Sequence, residues 1–204
     1  MSKFTGPRLK VMRALGVDLP GLSRKNTERR PYPPGEHGGR TRRRESVYGV
    51  QLKEKQKLRF NYGISERQFR RLIKKARSSK TETGLKLLEL LERRLDNVVF
   101  RAGFAPTIPA ARQLVNHGHF TLNGKKVDIA SISVSEGDVI AIRERSKSLK
   151  VIEAALEQPS LSVPEWLSYD GETRVAKITS LPTRDSVPFP IDVQLVVEYY
   201  ARRI

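Results

Sequence analysis

The sequence contains no cysteine, and it has no long run of apolar residues. The absence of cysteine excludes a disulfide framework, a thiol nucleophile and a zinc site held by thiolates. No apolar run approaches the ~20 residues that a membrane span needs. Residues 1–8 lack the apolar core of a signal peptide. We therefore expect a soluble intracellular protein that does not bind a membrane.

Acidic residues are scarce in one part of the chain. The 204 residues include 39 Lys+Arg and 22 Asp+Glu, a net charge of +17. Residues 1–80 hold 23 basic and 6 acidic residues (23 − 6 = +17), whereas residues 81–204 hold 16 of each. Such asymmetry predicts a polyanionic partner. Most of the early basic residues lie in sequence rich in proline and glycine, not in an amphipathic helix, so nucleic acid is favoured over a membrane surface.

Residues 1–46 are predicted to form a basic, extended arm. Proline and glycine recur through the segment and break regular structure, so only residues 7–15 favour a short helix. We expect the arm to bury little apolar surface and to take its shape from its partner. A basic cluster ends the arm and is a candidate RNA-binding site: Arg40, Arg42, Arg43 and Arg44.

The next segments have helical patterns. Residues 51–61 favour a helix, and Ser65 followed by Gln68 forms a capping box for another. An apolar stripe from Phe69 to Ala76 predicts that one side of this second helix packs inward. We expect the opposite side to carry cations with no acidic residue four positions away to neutralise them: Arg67, Arg70, Arg71, Lys74, Lys75 and Arg77. This side is therefore a candidate to face RNA phosphates, and its candidate RNA-binding residues are Arg67, Arg70, Arg71, Lys74 and Lys75.

The remainder alternates helices and short strands, so the predicted fold class is α+β. Residues 83–103 favour one helix, or two broken near Arg93. Thr107 is predicted to cap the next helix, and Asn123-Gly124 marks a hairpin. Short strands are expected near 139–142, 166–169 and 173–179, with a helix over 146–158. Residues 192–203 are ambiguous between helix and strand.

Residues 93–125 are expected to form two helices and a hairpin. This helix–helix–hairpin block provides a further candidate surface for RNA phosphates and 2′-hydroxyls. The alternative for two of its arginines, equally compatible with composition, is that they pair with Asp96 or Glu92. Three histidines without cysteine do not complete a zinc shell, and no nucleotide-binding or nucleophile motif is present. We therefore expect no metal, cofactor or catalytic site. The candidate RNA-binding residues are Arg94, Arg101, Arg112, Gln113, His117, Asn123 and Lys125.

Several separate motifs are distributed along the chain: Pro34-Gly35-Glu36-His37-Gly38, residues 48–59, residues 62–69, Arg94-Leu95-Asp96-Asn97-Val98-Val99 and residues 196–200. In this order they resemble the family of small-subunit ribosomal protein four. The resemblance implies a mostly helical first domain, a small RNA-binding module of two short helices and a mainly antiparallel sheet, and a C-terminal segment that returns to the helical domain. The implied division is an arm (1–46), a helical domain (47–92 and 191–204) and the module with its β extension (93–190).

The resemblance also implies a function. The family binds ribosomal RNA (rRNA) directly at a multi-helix junction in the 5′ domain of the small subunit and nucleates ribosome assembly. Arg40, Arg42, Arg43 and Arg44 would contact messenger RNA (mRNA) where it enters the subunit. Contacts with neighbouring proteins, especially ribosomal protein S-five, would affect translational accuracy. The implied location is the ribosome, in cytoplasm or plastid stroma.

Two other functions use the same module. An RNA-modifying enzyme would need a separate catalytic domain, which the regions outside the module do not suggest. A free RNA chaperone would not need the long arm. We therefore expect a structural protein and not an enzyme. Some relatives hold zinc through N-terminal cysteines, and that site is absent because this sequence has no cysteine.

Overall fold

The computed structural model describes residues 4–39 and 45–201, and it confirms the α+β class. The chain divides into two compact units, a first of Met1–Leu87 with Phe189–Ile204 and a second of Leu88–Pro188. The predicted arm cluster of Arg40, Arg42, Arg43 and Arg44 lies outside the described residues. The three-part division expected from the sequence stays a prediction.

The described residues form eight α-helices and five strands. The helices are α1 (Arg8–Leu15), α2 (Val47–Asn61), α3 (Glu66–Arg77), α4 (Thr83–Glu92), α5 (Leu95–Arg101), α6 (Ile108–Asn116), α7 (Lys150–Glu157) and α8 (Val193–Ala201). The strands are β1 (Phe120–Leu122), β2 (Lys125–Val127), β3 (Val139–Ile142), β4 (Leu167–Asp170) and β5 (Val175–Ile178). Two short 3₁₀ helices cover Glu144–Ser146 and Arg184–Ser186.

The arm is partly held by the protein itself. Helix α1 packs on α2, and Met12, Leu19 and Leu22 are buried. The Gly21 amide donates to the buried Asn61 side chain over 2.9 Å. The expectation that the arm buries little apolar surface is therefore wrong for residues 8–22, because three apolar side chains spaced along it reach the core of the first unit.

Helix α2 begins four residues earlier than the helix predicted over residues 51–61. The Ser46 hydroxyl accepts a hydrogen bond from the Gly49 amide over 3.2 Å and so satisfies one of the free donors at the helix start. The cap extends the helix over Val47 and Tyr48, both of which are exposed, and the Tyr48 ring stacks on Tyr199 at a centroid distance of 5.8 Å. The Ser46 cap therefore sets this boundary.

The C-terminal segment returns to the first unit, as predicted. The ambiguous tail is helix α8, which packs on α2. Gln51 donates to Glu198 over 2.9 Å, and the Asp192 amide donates to Glu54 over 3.1 Å. The Tyr200 ring stacks on Phe69 at a centroid distance of 5.6 Å. These contacts tie the two ends of the sequence together in one core.

In the second unit, the helices α5 and α6 precede the strands of an antiparallel sheet along the chain. The predicted helical run of 83–103 is two helices, because Arg94 adopts an extended backbone and pairs with Ser133. Helices α5 and α6 pack together. The sheet order is β2-β1-β3-β5-β4, every pair is antiparallel, and β2 and β4 form its edges. The Asn123-Gly124 hairpin is confirmed, and the predicted helix of 146–158 is shorter because Ser146 ends a 3₁₀ turn.

Candidate RNA interface

One side of α3 is apolar and the other carries positive charge. The Ser65 side chain and backbone exchange hydrogen bonds with Gln68, as the capping box predicted. Phe69, Ile73 and Ala76 are fully buried. The opposite side is exposed to solvent, and we name its residues the cation face: Arg67, Arg70, Arg71, Lys74 and Lys75. Arg77, the sixth predicted cation of this helix, is partly buried.

The expectation that no acidic residue neutralises this helix is wrong at one point. Glu66 lies four residues before Arg70, and its Oε1 atom is 3.9 Å from the arginine Nε atom. Among the residues that the structure describes, no ion pair involves Arg67, Arg71, Lys74 or Lys75. A row of unpaired, exposed cations on a rigid helix is the arrangement that attracts a polyanion.

Glu66 is fixed by groups on the protein side of α3. Burial alone would raise the pKa of the Glu66 carboxyl. Hydrogen bonds from Tyr200 and Lys55, with the positive charges of Lys55 and Arg59, outweigh burial and lower that pKa. Burial, followed by the hydrogen bond to Glu66, raises the pKa of the Tyr200 hydroxyl. Glu66 is therefore charged at neutral pH and anchors α3 to α2 and α8.

In the second unit, Asp96 joins two of the predicted RNA-binding arginines. Arg94 donates to both carboxylate oxygens, over 3.1 Å from Nε and 2.8 Å from Nη2. Arg112 donates to Oδ2 from Nε and Nη2 over 2.9 and 2.7 Å. Asp96 is fully buried and Arg94 nearly so, whereas Arg112 is partly exposed. We name these three residues the Asp96 clamp.

Arg101 is also paired inside the protein. Its Nη2 atom donates to the Ser186 carbonyl over 2.8 Å, and its Nε atom lies 3.7 Å from the Glu92 carboxylate. Asn97 donates to the same carboxylate over 2.9 Å. For both Arg94 and Arg101, the structure thus shows the pairing with Asp96 and Glu92 that the sequence left open. Direct RNA contact by these two side chains stays a prediction.

The remaining predicted residues of this block are at the surface. Gln113, His117, Asn123 and Lys125 are all exposed. Asn123 has a left-handed backbone with φ of 50°, and its side-chain oxygen accepts from the Val139 amide over 2.8 Å. Asn123 therefore holds the turn between β1 and β2.

Sequence reasoning missed three cations next to the histidines. Arg143 donates to the Gly118 carbonyl over 3.1 Å, and its amide donates to the His119 carbonyl over 3.0 Å. Arg145 contributes positive charge at His119, and the Lys126 chain lies against Gly118. The sequence contains Arg-Glu-Arg directly after the β3 pattern, but only the sheet pairing of β3 with β1 brings it to the histidines.

Neither a membrane helix nor a metal cluster is found within residues 4–39 and 45–201. No helix in this part of the chain is both long and apolar enough to span a bilayer. No group of three His, Asp or Glu side chains comes together there in a way that could hold a metal ion.

Comparison with known proteins places the chain in a family. The sequence profile described as Ribosomal protein S4/S9 N-terminal domain matches residues 3–92, and the S4 domain profile matches residues 93–140. Small ribosomal subunit protein uS4 of Methylobacillus flagellatus is 62% identical over 205 residues, which cover 100% of both chains. The chain belongs to the uS4 family. The predicted resemblance is thereby confirmed.

Other uS4 proteins match over the same length. The uS4B protein of Nitrosomonas europaea is 62% identical, and the uS4 protein of Synechococcus elongatus is 56% identical, each with 100% of both chains covered. The cation face lies within the first uS4 profile match, and the Asp96 clamp lies within the second. Arg143 and Arg145 lie beyond both matches.

Proposed function

We propose that this chain is a structural component of the small ribosomal subunit and binds the subunit's rRNA directly. The full-length relatives carry the name of a small-subunit ribosomal protein. The observation that carries the proposal is the cation face, where Arg67, Arg71, Lys74 and Lys75 are exposed without an acidic partner among the described residues. A ribosomal RNA phosphate backbone supplies the missing negative charge.

Two kinds of contact contribute to RNA binding, one to affinity and the other to recognition. The cation face neutralises phosphates and releases counterions, which supplies affinity without reading sequence. In the second unit, exposed Gln113, His117 and Lys125 present a few placed donors from α6 and the hairpin. Asp96 fixes the guanidinium of Arg112, which is partly exposed in the same unit. Such a surface recognises RNA by shape and through 2′-hydroxyls and phosphates.

The finer assignments follow the family resemblance. We propose that the RNA site is a multi-helix junction in the 5′ domain and that binding there nucleates assembly. Arg40, Arg42, Arg43 and Arg44 would contact mRNA where it enters the subunit, and ribosomal protein S-five would be a neighbour whose contact affects translational accuracy. The ribosome is then the site of action, in the cytoplasm of a bacterium or in a plastid stroma.

The alternative of an RNA-modifying enzyme has less support. The relatives are named as components of a ribosomal subunit and not as enzymes, and they match 100% of this chain. No stretch of the sequence is left over that could supply a separate catalytic domain of ordinary size. The function of a free RNA chaperone is disfavoured because such a protein would not need the long arm.

Salt dependence of binding to an isolated 5′-domain rRNA tests the proposal. If roughly 6–10 phosphates are engaged, affinity should fall on the order of 10³-fold or more between 50 and 200 mM salt. Binding can be measured by filter retention at fixed pH. A nearly flat salt response would contradict binding led by phosphates. Sedimentation of the native protein with the small subunit in high salt provides the cellular counterpart.

The mRNA assignment needs its own experiment. Changing Arg42, Arg43 and Arg44 to alanine should leave assembly into small subunits intact and impair translation of structured messengers. The cluster adds charge outside both the cation face and the second unit, so assembly has other anchors. Failure of this variant to enter subunits would show that the cluster serves assembly instead.

A further inference from the structure

Several cations converge on the turn that links α6 to β1. Gly118 adopts a φ of 70°, a conformation that favours glycine, and the Lys126 side chain lies against it, since a Cβ atom there would be 2.5 Å from the Lys126 Cε atom. His117 and His119 flank the glycine with their ring centroids 6.0 Å apart. We name the group the Gly118 corner: His117, Gly118, His119, Lys126, Arg143 and Arg145.

Hydrogen bonds within the second unit hold one of these cations, Arg143, in place. Arg143 is fixed by its guanidinium bond to the Gly118 carbonyl and by the backbone bond between its amide and the His119 carbonyl. The intervening acid, Glu144, is highly exposed and pairs with Lys147 over 2.7 Å. Among the described residues, no ion pair involves Lys126, Arg143 or Arg145. Like charges that converge without a counter-charge among the described residues indicate an external anion.

The nearby positive charges act on the pKa of His119. Burial, followed by the positive groups His117, Arg145 and Arg143, lowers the pKa of the His119 imidazole. Its Nδ1 atom lies 3.0 Å from the hydroxyl oxygen of buried Ser146. A hydroxyl can donate to a bare Nδ1 or accept from a protonated one, so this contact is kept in both charge states. The Nε2 atom is the ring nitrogen left for a ligand.

We propose that the Gly118 corner binds a phosphate of the rRNA and that His119 takes up a proton when the phosphate arrives. The inference rests on the proposed function and specifies one contact within it. Protonated His119 donates through Nδ1 to Ser146 and through Nε2 to a phosphate oxygen, and no bond other than the N–H forms. The proton comes from solvent, and the RNA phosphate offsets the repulsion among His117, Lys126, Arg143 and Arg145.

The direction of the pH effect follows from linkage. In the free protein the pKa of His119 is low, so the ring is mostly neutral near pH 7. A bound phosphate favours the charged ring and raises that pKa. Between the free and bound pKa values, binding takes up a proton, so affinity for RNA falls as pH rises through that window. The slope cannot exceed about tenfold per pH unit for one proton.

Affinity for the 5′-domain rRNA, measured from pH 5.5 to 8.5 at constant salt, tests the proposal. The matched variants are His119→Gln, which keeps a polar group for Ser146, and His37→Gln, which removes an imidazole of the first unit. We expect the pH-dependent part of the affinity to disappear in His119→Gln and to persist in His37→Gln. Equal pH dependence in the native protein and His119→Gln, or its loss in His37→Gln alone, would overturn the proposal.

A second measurement locates the phosphate. Arg145→Ala should reduce the slope of log affinity against log salt by about 0.7–0.9, the change for one phosphate contact. Arg184→Ala, which removes an exposed cation elsewhere in the second unit, should leave the slope unchanged. Equal slopes for Arg145→Ala and the native protein would overturn the assignment. If the native protein fails to bind the RNA at every pH tested, that result would contradict the proposed function and, with it, this inference.

Nuclear magnetic resonance separates proton uptake from a change in fold. The chain has three histidines, so His119→Gln assigns the His119 ring signal by its absence. The pKa read from that signal should be higher in the RNA complex than in the free protein. An unchanged or lower pKa in the complex would contradict proton uptake even if the affinities varied with pH.

Discussion

The cation face and the Asp96 clamp both contain arginines, but the arginines have opposite roles in the two groups. On α3, Arg67 and Arg71 are exposed and unpaired within the described residues, above a fully buried apolar side. In the second unit, Arg94 is buried against the buried Asp96, which also binds Arg112. The first arrangement leaves charge available to a partner, and the second uses charge to fix geometry.

The difference shows that net charge and recognition are separate properties of this chain. Residues 1–80 carry the whole excess of +17, and the cation face is part of it. The second unit lies in the sequence half that is electrically neutral, yet it contains the S4 domain match. Exposed charge attracts RNA over distance, whereas paired arginines hold a surface in the shape that RNA meets.

Replacement of Asp96 should break the Asp96 clamp and lower the free energy of unfolding more than any of the other changes described below. Asp96→Ala leaves buried Arg94 without its counter-charge, and loss of one partner of a buried pair costs about 3–5 kcal/mol of unfolding free energy. Urea unfolding monitored through Trp166, the one tryptophan, buried in the second unit, measures the loss.

The control for this variant is an exposed carboxylate in the same unit. Glu144→Ala removes the partner of Lys147 at the surface and should change the unfolding free energy by less than about 0.5 kcal/mol. A loss from Asp96→Ala no greater than that from Glu144→Ala would show that the clamp does not stabilise the fold.

Removal of charge from the cation face should have the converse effect. The triple variant Arg71→Gln, Lys74→Gln and Lys75→Gln should reduce the salt slope of rRNA binding by about 2–3, since each lost phosphate contact contributes roughly 0.7–0.9. Its unfolding free energy should stay close to that of the native protein because these side chains are exposed.

A matched triple variant provides the control. Lys150, Lys177 and Arg184 are exposed cations of the second unit that lie outside both proposed surfaces. Their change to glutamine removes the same charge and should leave most of the salt slope in place. Equal losses for the two triple variants would mean that total charge, and not the α3 surface, sets the affinity.

Glu66, which begins the helix that carries the cation face, should have a smaller, pH-dependent effect on the free energy of unfolding. Its pKa is lowered in the folded protein, so its contribution to stability is present above its unfolded pKa and is lost as pH falls through the folded value. The difference in unfolding free energy between the native protein and Glu66→Gln should therefore shrink from about pH 5 to pH 3. Circular dichroism during urea unfolding measures it, and a constant difference would contradict the role of the charge.

The smallest effect is expected at Asn123. Asn123→Ala loses the hydrogen bonds to Val139 and Asp138 and puts a Cβ-bearing residue without a polar group at φ of 50°. We expect a loss of about 1 kcal/mol of unfolding free energy. Asn116→Ala, at an exposed position on α6, is the control and should stay within about 0.5 kcal/mol. Comparable losses at both sites would contradict a structural role for Asn123.

Local signals in the sequence predicted the features that depend on few residues. The capping box of Ser65 and Gln68, the stripe of Phe69 to Ala76 and the Asn123-Gly124 hairpin all form as expected. Each depends on contacts between neighbours along the chain, which a pattern of residue types records.

Features that depend on distant contacts could not be predicted in this way. Arg112 reaches Asp96 across 16 positions, and composition could not decide whether Arg94 was paired or exposed. The apolar residues of α1 appear isolated in sequence because this helix packs on α2, which begins after residue 46. Arg143 joins the histidines only because β3 pairs with β1.

The lysines of β2 also have a consequence for the protein before it meets RNA. This strand forms an edge of the sheet and leaves backbone donors and acceptors open to another chain. Lys125 and Lys126 are both exposed along its three residues, and their mutual repulsion between copies opposes edge-to-edge pairing. The positive charge at this edge therefore disfavours pairing of β2 with the same strand of a second copy.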